Sequence, residues 1–198
     1  WAARGLRAGG VSAIVVTAPA SSIEEFRSAL SEIDDLTVVA GSDRSRQESV
    51  ALGLAALGRC EADTVVLVHD AARPLTPPQV TGRVIDAVAG GAGAVIPVLP
   101  VTDTLKTVGA SGVVTGTPRR SDMVAVQTPQ GFRWDVLIRA HEAGASLGAD
   151  EARAATDDAG LVEAIGGTVH TVAGDERSMK VTRPLDLALA RLLAAEEA

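Results

Sequence analysis

Val65-Val66-Leu67-Val68-His69-Asp70-Ala71-Ala72-Arg73-Pro74 is an apolar run that stops at a carboxylate, two small residues and an arginine. Being apolar on both faces, it predicts a buried parallel strand. In an open α/β sheet, ligands bind at the carboxyl ends of such strands. Ala71 and Ala72 leave the backbone open to close approach by a ligand. Asp70 supplies acceptors for hydroxyls or a magnesium shell, and Arg73 a fork of donors for phosphate. Read alone, the segment is equally a strand followed by a polar turn, with Asp70 as a helix cap.

Outward from this strand, strands and helices alternate, which predicts an α/β domain with a mostly parallel sheet. Upstream, strands are expected at Val11 to Thr17 and Leu36 to Ala40, with a helix from Ser21 to Ser31 between them. Ser45-x-x-Glu48 forms a capping box for a helix running to about Gly58. Downstream, Pro77 or Pro78 opens a helix ending near Gly90-Gly91, and Ala94 to Leu99 is another buried strand. Thr102 to Val108 and Val113 to Thr117 then flank Gly109-Ala110-Ser111-Gly112, a β-hairpin that breaks the rhythm and is expected to project from the sheet. Strands follow at Val124 to Thr128 and Thr168 to Val172. Helices are expected at Trp134 to Gly144, Asp157 to Ile165 and Pro184 to Ala195. No repeat or long linker divides the 198 residues, so residues 1–198 are expected to form one domain.

Composition narrows the function classes. The net charge is −7, which argues against a nucleic-acid binder but allows a local basic cluster to hold a phosphorylated substrate. No apolar run approaches the ~20 residues of a membrane span. Val11 to Val16 follows two arginines but is too short for a signal peptide. Cys60 is the only cysteine, so no intrachain disulfide forms, and a cytoplasmic location is expected. The three histidines, His69, His141 and His170, are scattered and read as structural.

A second segment, Met179-Lys180-Val181-Thr182-Arg183-Pro184, places three polar or charged residues before a proline that can open a helix. A helix N-terminus attracts anions, and a lysine there is disfavoured unless it serves one. VLVHDAARP, TPQ at Thr128 to Gln130, TDDA at Thr156 to Ala159 and KVTRP together resemble the 2-C-methyl-D-erythritol 4-phosphate cytidylyltransferase family. Their order and approximate spacing carry the resemblance over essentially the whole chain. It implies a three-layer, Rossmann-like nucleotidyltransferase fold with the hairpin, about residues 102–120, as a dimerisation arm. It also implies CTP and a polyol phosphate as substrates, and Mg²⁺ held mainly by the CTP phosphates, with no all-protein metal site.

The resemblance implies roles for individual residues. Lys180 positions the attacking phosphate. Arg120, eight residues before Thr128, reaches the substrate phosphate of the other subunit of a homodimer; a solvated pair with Arg119 is the alternative. Thr104 contacts the methylerythritol part, and alternation puts Lys106 on the same face. Thr128, Thr156 and Thr182 are phosphate contacts, with helix capping as the alternative for the last two. Gly41, Arg46 and Ser49 stand where cytosine is recognised. Asp70, beside Ala71, lies near the ribose, triphosphate and metal.

The family's glycine-rich triphosphate loop, with its arginine and lysine, has no match before Val11. Trp1 to Ala8 reads instead as the middle of a helix, and this chain by itself is expected to be inactive or nearly so. Two alternatives stay open: a ribitol-5-phosphate cytidylyltransferase, and a non-catalytic nucleotide-binding or dimerisation protein.

Overall fold

The computed structural model describes residues 1–146 and 155–195. Its elements, in chain order, are α1 (Ala2–Ala8), β1 (Ile14–Ala18), α2 (Ile23–Ala29), β2 (Leu36–Ala40), α3 (Arg46–Leu57), β3 (Val65–Val68), α4 (Pro78–Ala89), β4 (Ala94–Pro100), β5 (Thr107–Val108), β6 (Val114–Gly116), β7 (Val124–Val126), β8 (Gln130–Arg133), α5 (Trp134–Gly144), α6 (Asp158–Ala164), β9 (Val169–Ala173) and α7 (Pro184–Ala195).

The run expected to be buried on both faces is so, for the reason its pattern gives. Val66 and Val68 join Ala94, Phe132, Leu137, Ala140, Leu161 and Val162 in the larger core, on the α5 and α6 side. Val65 and Leu67 point the other way and pack with Val84, Val88 and Val95 beneath α4. Side chains alternate across a strand, so one apolar tetrapeptide serves two cores, and the sheet is the middle of three layers.

Its neighbours in the sheet explain the remaining pattern. β3 pairs with β8, β8 with β4, and β4 with β9 on its other edge. β7 continues the line of β8 along β4, through Val98↔Val126 and Pro100↔Val124. β3, β4 and β9 run in one direction, and β7 and β8 in the other. β1 and β2 form a separate parallel pair, with Val16 opposite Val38. α3 bridges the two sheets. Gly53 lies against Thr17, where a Cβ would sit 3.2 Å from its methyl, while Leu54 enters the larger core.

Half of the expected capping box forms at the start of α3: Ser45 Oγ accepts from Glu48 N–H at 3.0 Å, while the Glu48 carboxylate turns to Ser42 and Arg44. Two expectations change. The hairpin is shorter, because β5 starts only at Thr107, so Thr104 and Lys106 lie outside regular pairing and alternation does not fix them to one face. And β8 was not expected: Gln130-Gly131-Phe132-Arg133 mixes polar, glycine and apolar residues, with no period to read.

Candidate active site

The two signature segments meet at the carboxyl end of β3. Val181 N–H donates to Ala72 C=O at 2.7 Å, which fixes the KVT stretch against the turn after Asp70. Lys180 Nζ then lies 2.9 Å from Asp70 Oδ2, with 44% of its side chain exposed. The other Asp70 oxygen faces Arg46 Nε at 3.3 Å, and Arg46 Nη1 reaches Asp158 Oδ2 at 2.7 Å. Asp158 is buried at the first turn of α6, and its second oxygen accepts from His141 Nε2 on α5 at 2.9 Å. Lys180, Asp70, Arg46, Asp158 and His141 thus form one chain of alternating partners drawn from five segments.

Its electrostatics follow from burial opposed by pairing. Burial alone would raise Asp70, but the Lys180 hydrogen bond and the Arg46 charge hold its carboxyl below the usual range. Burial would raise Asp158 too, and His141 and Arg46 reverse that. For Arg46, burial acts to depress the guanidinium, and the two carboxylates outweigh it, Asp158 first. Both aspartates are therefore anions throughout the neutral range.

The turn itself is held by residues expected to meet phosphate. Thr128 is buried, and its hydroxyl accepts from Asp70 N–H at 3.0 Å. His69 Nε2 lies 3.3 Å from Arg73 C=O, an acceptor, so this nitrogen carries the proton; Thr128 then donates to Nδ1 at 3.0 Å. Arg73 clamps two backbone carbonyls of the turn's neighbours. Its Nη1 donates to Ser178 C=O at 2.6 Å and its Nη2 to Val126 C=O at 3.2 Å. Burial lowers its pKa, against the opposing charge of Asp70. Thr128 and Arg73 thus hold the walls of the site through the bonds they make within the protein.

His69 is the sensitive member of this set. Burial pushes its pKa down from 6.5 to about 4, opposed by Arg73 C=O and Asp70. A folded-state value below the unfolded one means that the unfolded chain binds the extra proton between those pH values. Stability is therefore full above pH 6.5 and falls as the pH drops toward 4, at about 1.4 kcal/mol per pH unit, to a loss of about 3 kcal/mol. Thermal melts of the parent and His69→Asn from pH 7 to 4 should show a clearly shallower decline for the variant. Equal slopes would assign the acid sensitivity elsewhere.

The remaining expected residues fall into three groups. Gly41 and Ser49 shape the loop before α3. Ser49 Oγ accepts from Ser42 N–H at 3.0 Å, and a Cβ on Gly41 would sit 3.2 Å from that oxygen. With Ser42 to Arg46, Ser49 lines an open hollow of about 350 Å³. Ala71, exposed in the turn, leaves the backbone beside Asp70 accessible. Thr156 and Thr182 flank helix starts. Thr156 is exposed one residue before Asp157, which is the actual cap of α6 and accepts from Gly160 N–H at 2.9 Å. Thr182 acts in capping, its N–H and hydroxyl both bonded to Asp186 Oδ2, at 2.9 and 3.0 Å. Arg120 and Thr104 belong to the arm, where Arg120 Nη1 donates to Thr102 C=O at 2.8 Å and Thr104 is exposed.

Three contributors escaped the sequence reading. Asp158 was visible only as a letter of TDDA, and His141 was read as structural. Gln47, buried, donates to Gly144 C=O at 2.8 Å and accepts from Ala155 N–H at 3.0 Å, fastening the start of α3 to the end of α5. Their partners lie far away in sequence, and no local spacing marks them.

Among the described residues, no three His, Cys, Asp or Glu side chains form a group able to hold a metal ion. None of their helices is long and apolar enough to cross a membrane.

The profile of the 2-C-methyl-D-erythritol 4-phosphate cytidylyltransferase family matches residues 1–196. A protein of that name from Rhodococcus jostii is 49% identical over 98% of this chain and 80% of its own length. One from Nocardia farcinica is 48% identical over 95% and 76%. A crystal structure of a 4-diphosphocytidyl-2C-methyl-D-erythritol synthase superposes with a TM-score of 0.80 at 31% identity, covering 96% of this chain and 87% of that one. The cytidylyltransferase of Thermus thermophilus gives 0.71 at 31% identity, covering 92% and 98%.

Proposed function

The chain belongs to the 2-C-methyl-D-erythritol 4-phosphate cytidylyltransferase family, and from that premise we propose how its residues divide the transfer of a cytidylyl group from CTP to 2-C-methyl-D-erythritol 4-phosphate. The reaction serves isoprenoid precursor synthesis. A phosphate oxygen of the polyol attacks the α-phosphorus of CTP, a new P–O–P bond forms, and the bond to the β-phosphate breaks to release pyrophosphate. No covalent intermediate is needed, so the protein's work is to position two anions and stabilise the charge developing between them.

The observation that carries the assignment is the joint between the two signature segments. The Val181–Ala72 backbone bond and the Lys180–Asp70 pair place a partly exposed ammonium beside a more buried carboxylate at the open end of β3. In this reading Lys180 exchanges part of its contact with Asp70 for the attacking phosphate. The base enters the hollow lined by Ser42 to Arg46 and Ser49, next to Gly41, whose volume is of ligand-site size. The ribose lies along Asp70 and Ala71. Thr156 and Thr182, at the mouths of α6 and α7, border the polyol phosphate.

Mg²⁺ fits as an ion held mainly by the nucleotide. Asp70 already faces three cationic side chains, so it offers an oxygen to a metal shell and not a cage. When bound, the ion neutralises charge on the phosphates of the leaving group.

Arg120 completes the site of a second subunit in this reading. Support comes from the arm itself, where Val108, Val113 and Val114 are 55–63% exposed and Val124 beside it is 46% exposed. An apolar patch of this kind suits a second copy of the chain. A cytoplasmic location accords with the single free thiol of Cys60.

A pyrophosphate-release assay with CTP, Mg²⁺ and either polyol phosphate, on this chain joined to the family's glycine-rich loop, tests the reading. Release should require 2-C-methyl-D-erythritol 4-phosphate. Faster release with ribitol 5-phosphate would reassign the substrate, and CTP binding without release in either case would favour a nucleotide-binding protein.

A further inference from the structure

The reaction as described uses Lys180, Asp70 and a pocket for the base. It leaves unexplained why a carboxylate and an imidazole are buried together behind them. Asp158 is 1% exposed and His141 7%. Burying such a pair is costly unless every lone pair and proton finds a partner. Here the two oxygens of Asp158 divide between His141 Nε2 at 2.9 Å and Arg46 Nη1 at 2.7 Å. The arrangement therefore has one output toward the surface, the guanidinium of Arg46.

Arg46 is the first residue of α3 and lines the hollow with Ser42, Ser45 and Ser49. Gln47, the next residue, holds the helix backbone through Gly144 and Ala155. Main-chain position is thus secured by Gln47, and the direction of the Arg46 side chain by Asp158.

We infer that Asp158 and His141 are positioning residues for nucleotide binding: His141 orients the Asp158 carboxylate, which aims Arg46 across the base pocket and onto Asp70. Arg46 then joins the wall of the pocket to the carboxylate beside Lys180, so that the base and the reacting phosphates are held in one frame. The substrate side of this inference rests on the cytidylyltransferase reading above.

Three substitutions separate positioning from mere support of the fold. Asp158→Asn keeps the shape but presents an amide N–H₂ to one of two donors, so it loses either the His141 or the Arg46 bond. His141→Leu deletes the donor. His141→Gln returns an N–H close to the position of Nε2. In proteins with parent-like circular dichroism, the first two should raise KM for CTP roughly 10-fold or more, the worth of one hydrogen bond to a charged group, while kcat and KM for the polyol phosphate change less. His141→Gln should recover most of that loss. Without substrate, nitrogen-15 NMR should show the Arg46 Nε–H protected from solvent exchange in the parent and in His141→Gln, and exchanging fast in the other two.

Unchanged Arg46 protection in Asp158→Asn would overturn the inference whatever the activity. So would a parent-like KM for CTP in a folded, active Asp158→Asn. Absence of turnover in a parent protein that also carries the family's glycine-rich loop would instead count against the cytidylyltransferase reading, and leave the NMR comparison to decide the network.

Discussion

In an enzyme that carries the family's glycine-rich loop as well, alanine at Lys180 or at Arg120 lowers turnover by roughly 10²–10³-fold, the scale of one lost transition-state donor. Lys180 stands at the exposed end of its pair, and its removal leaves Asp70 facing Arg46 and Arg73, so the fold is retained. Arg120 donates to Thr102 C=O and sits on a surface arm, so its loss is equally local. The two variants differ in what mixing does. If each site takes its lysine from one chain and its arginine from the partner, a heterodimer of the two variants contains one intact site and one doubly damaged site. Statistical exchange then returns roughly a quarter of the parent activity. Confirmed subunit exchange with no recovered turnover would show that both residues act within one chain, or that Arg120 acts elsewhere.

Gly131→Val costs about 3 kcal/mol or more, among the largest effects expected of any single substitution in this protein. A Cβ at this position would lie 2.4 Å from a methyl of Val84, 3.1 Å from Val88 and 3.2 Å from Leu67. Those atoms belong to α4 and to the strand beside β8, both packed from the same side, so α4 has to lift off the sheet. Thermal unfolding should fall by roughly 10 °C, at 2–4 °C per kcal/mol for a chain of this length. Gly82→Ala, in the same helix but with open space where its Cβ would go, is the contrast: it should hold or raise stability by up to about 1 kcal/mol. Equal melting of the two variants would mean that α4 does not rest on β8 as described.

The contrast between those glycines shows where sequence reading ends. Neither is marked by its neighbours; only the tertiary contact distinguishes them. The same holds for β8, whose four residues become a strand because β3 and β4 offer edges on either side. The apolar tetrapeptide of β3, the Ser45–Glu48 cap and the boundaries of β2, α5 and α7 were legible because they depend on local period or local chemistry. Among site residues, Lys180 and Asp70 were legible as a pair of signature segments, and the structure brings them together. Thr128 and Arg73 were legible as important, but their partners within the protein, Asp70 N–H and His69 for one and two backbone carbonyls for the other, come from tertiary contacts that no local pattern marks. His141 and Asp158 meet across 17 positions, and Arg46 and Asp158 across 112, distances over which no pattern in a single chain points from one to the other.

The bond from Val181 N–H to Ala72 C=O has a consequence for how this site tolerates drift. A seam sewn with main-chain atoms is indifferent to the side chains hung on it. The side chains at residues 72 and 181 take no part in the bond, so changes there retune what the site admits while the spacing between its two walls stays fixed by the peptide groups. Proline at 181 is the exception, since it alone lacks the hydrogen that closes the seam. A lineage can therefore explore new occupants for this cleft one residue at a time without first rebuilding the cleft.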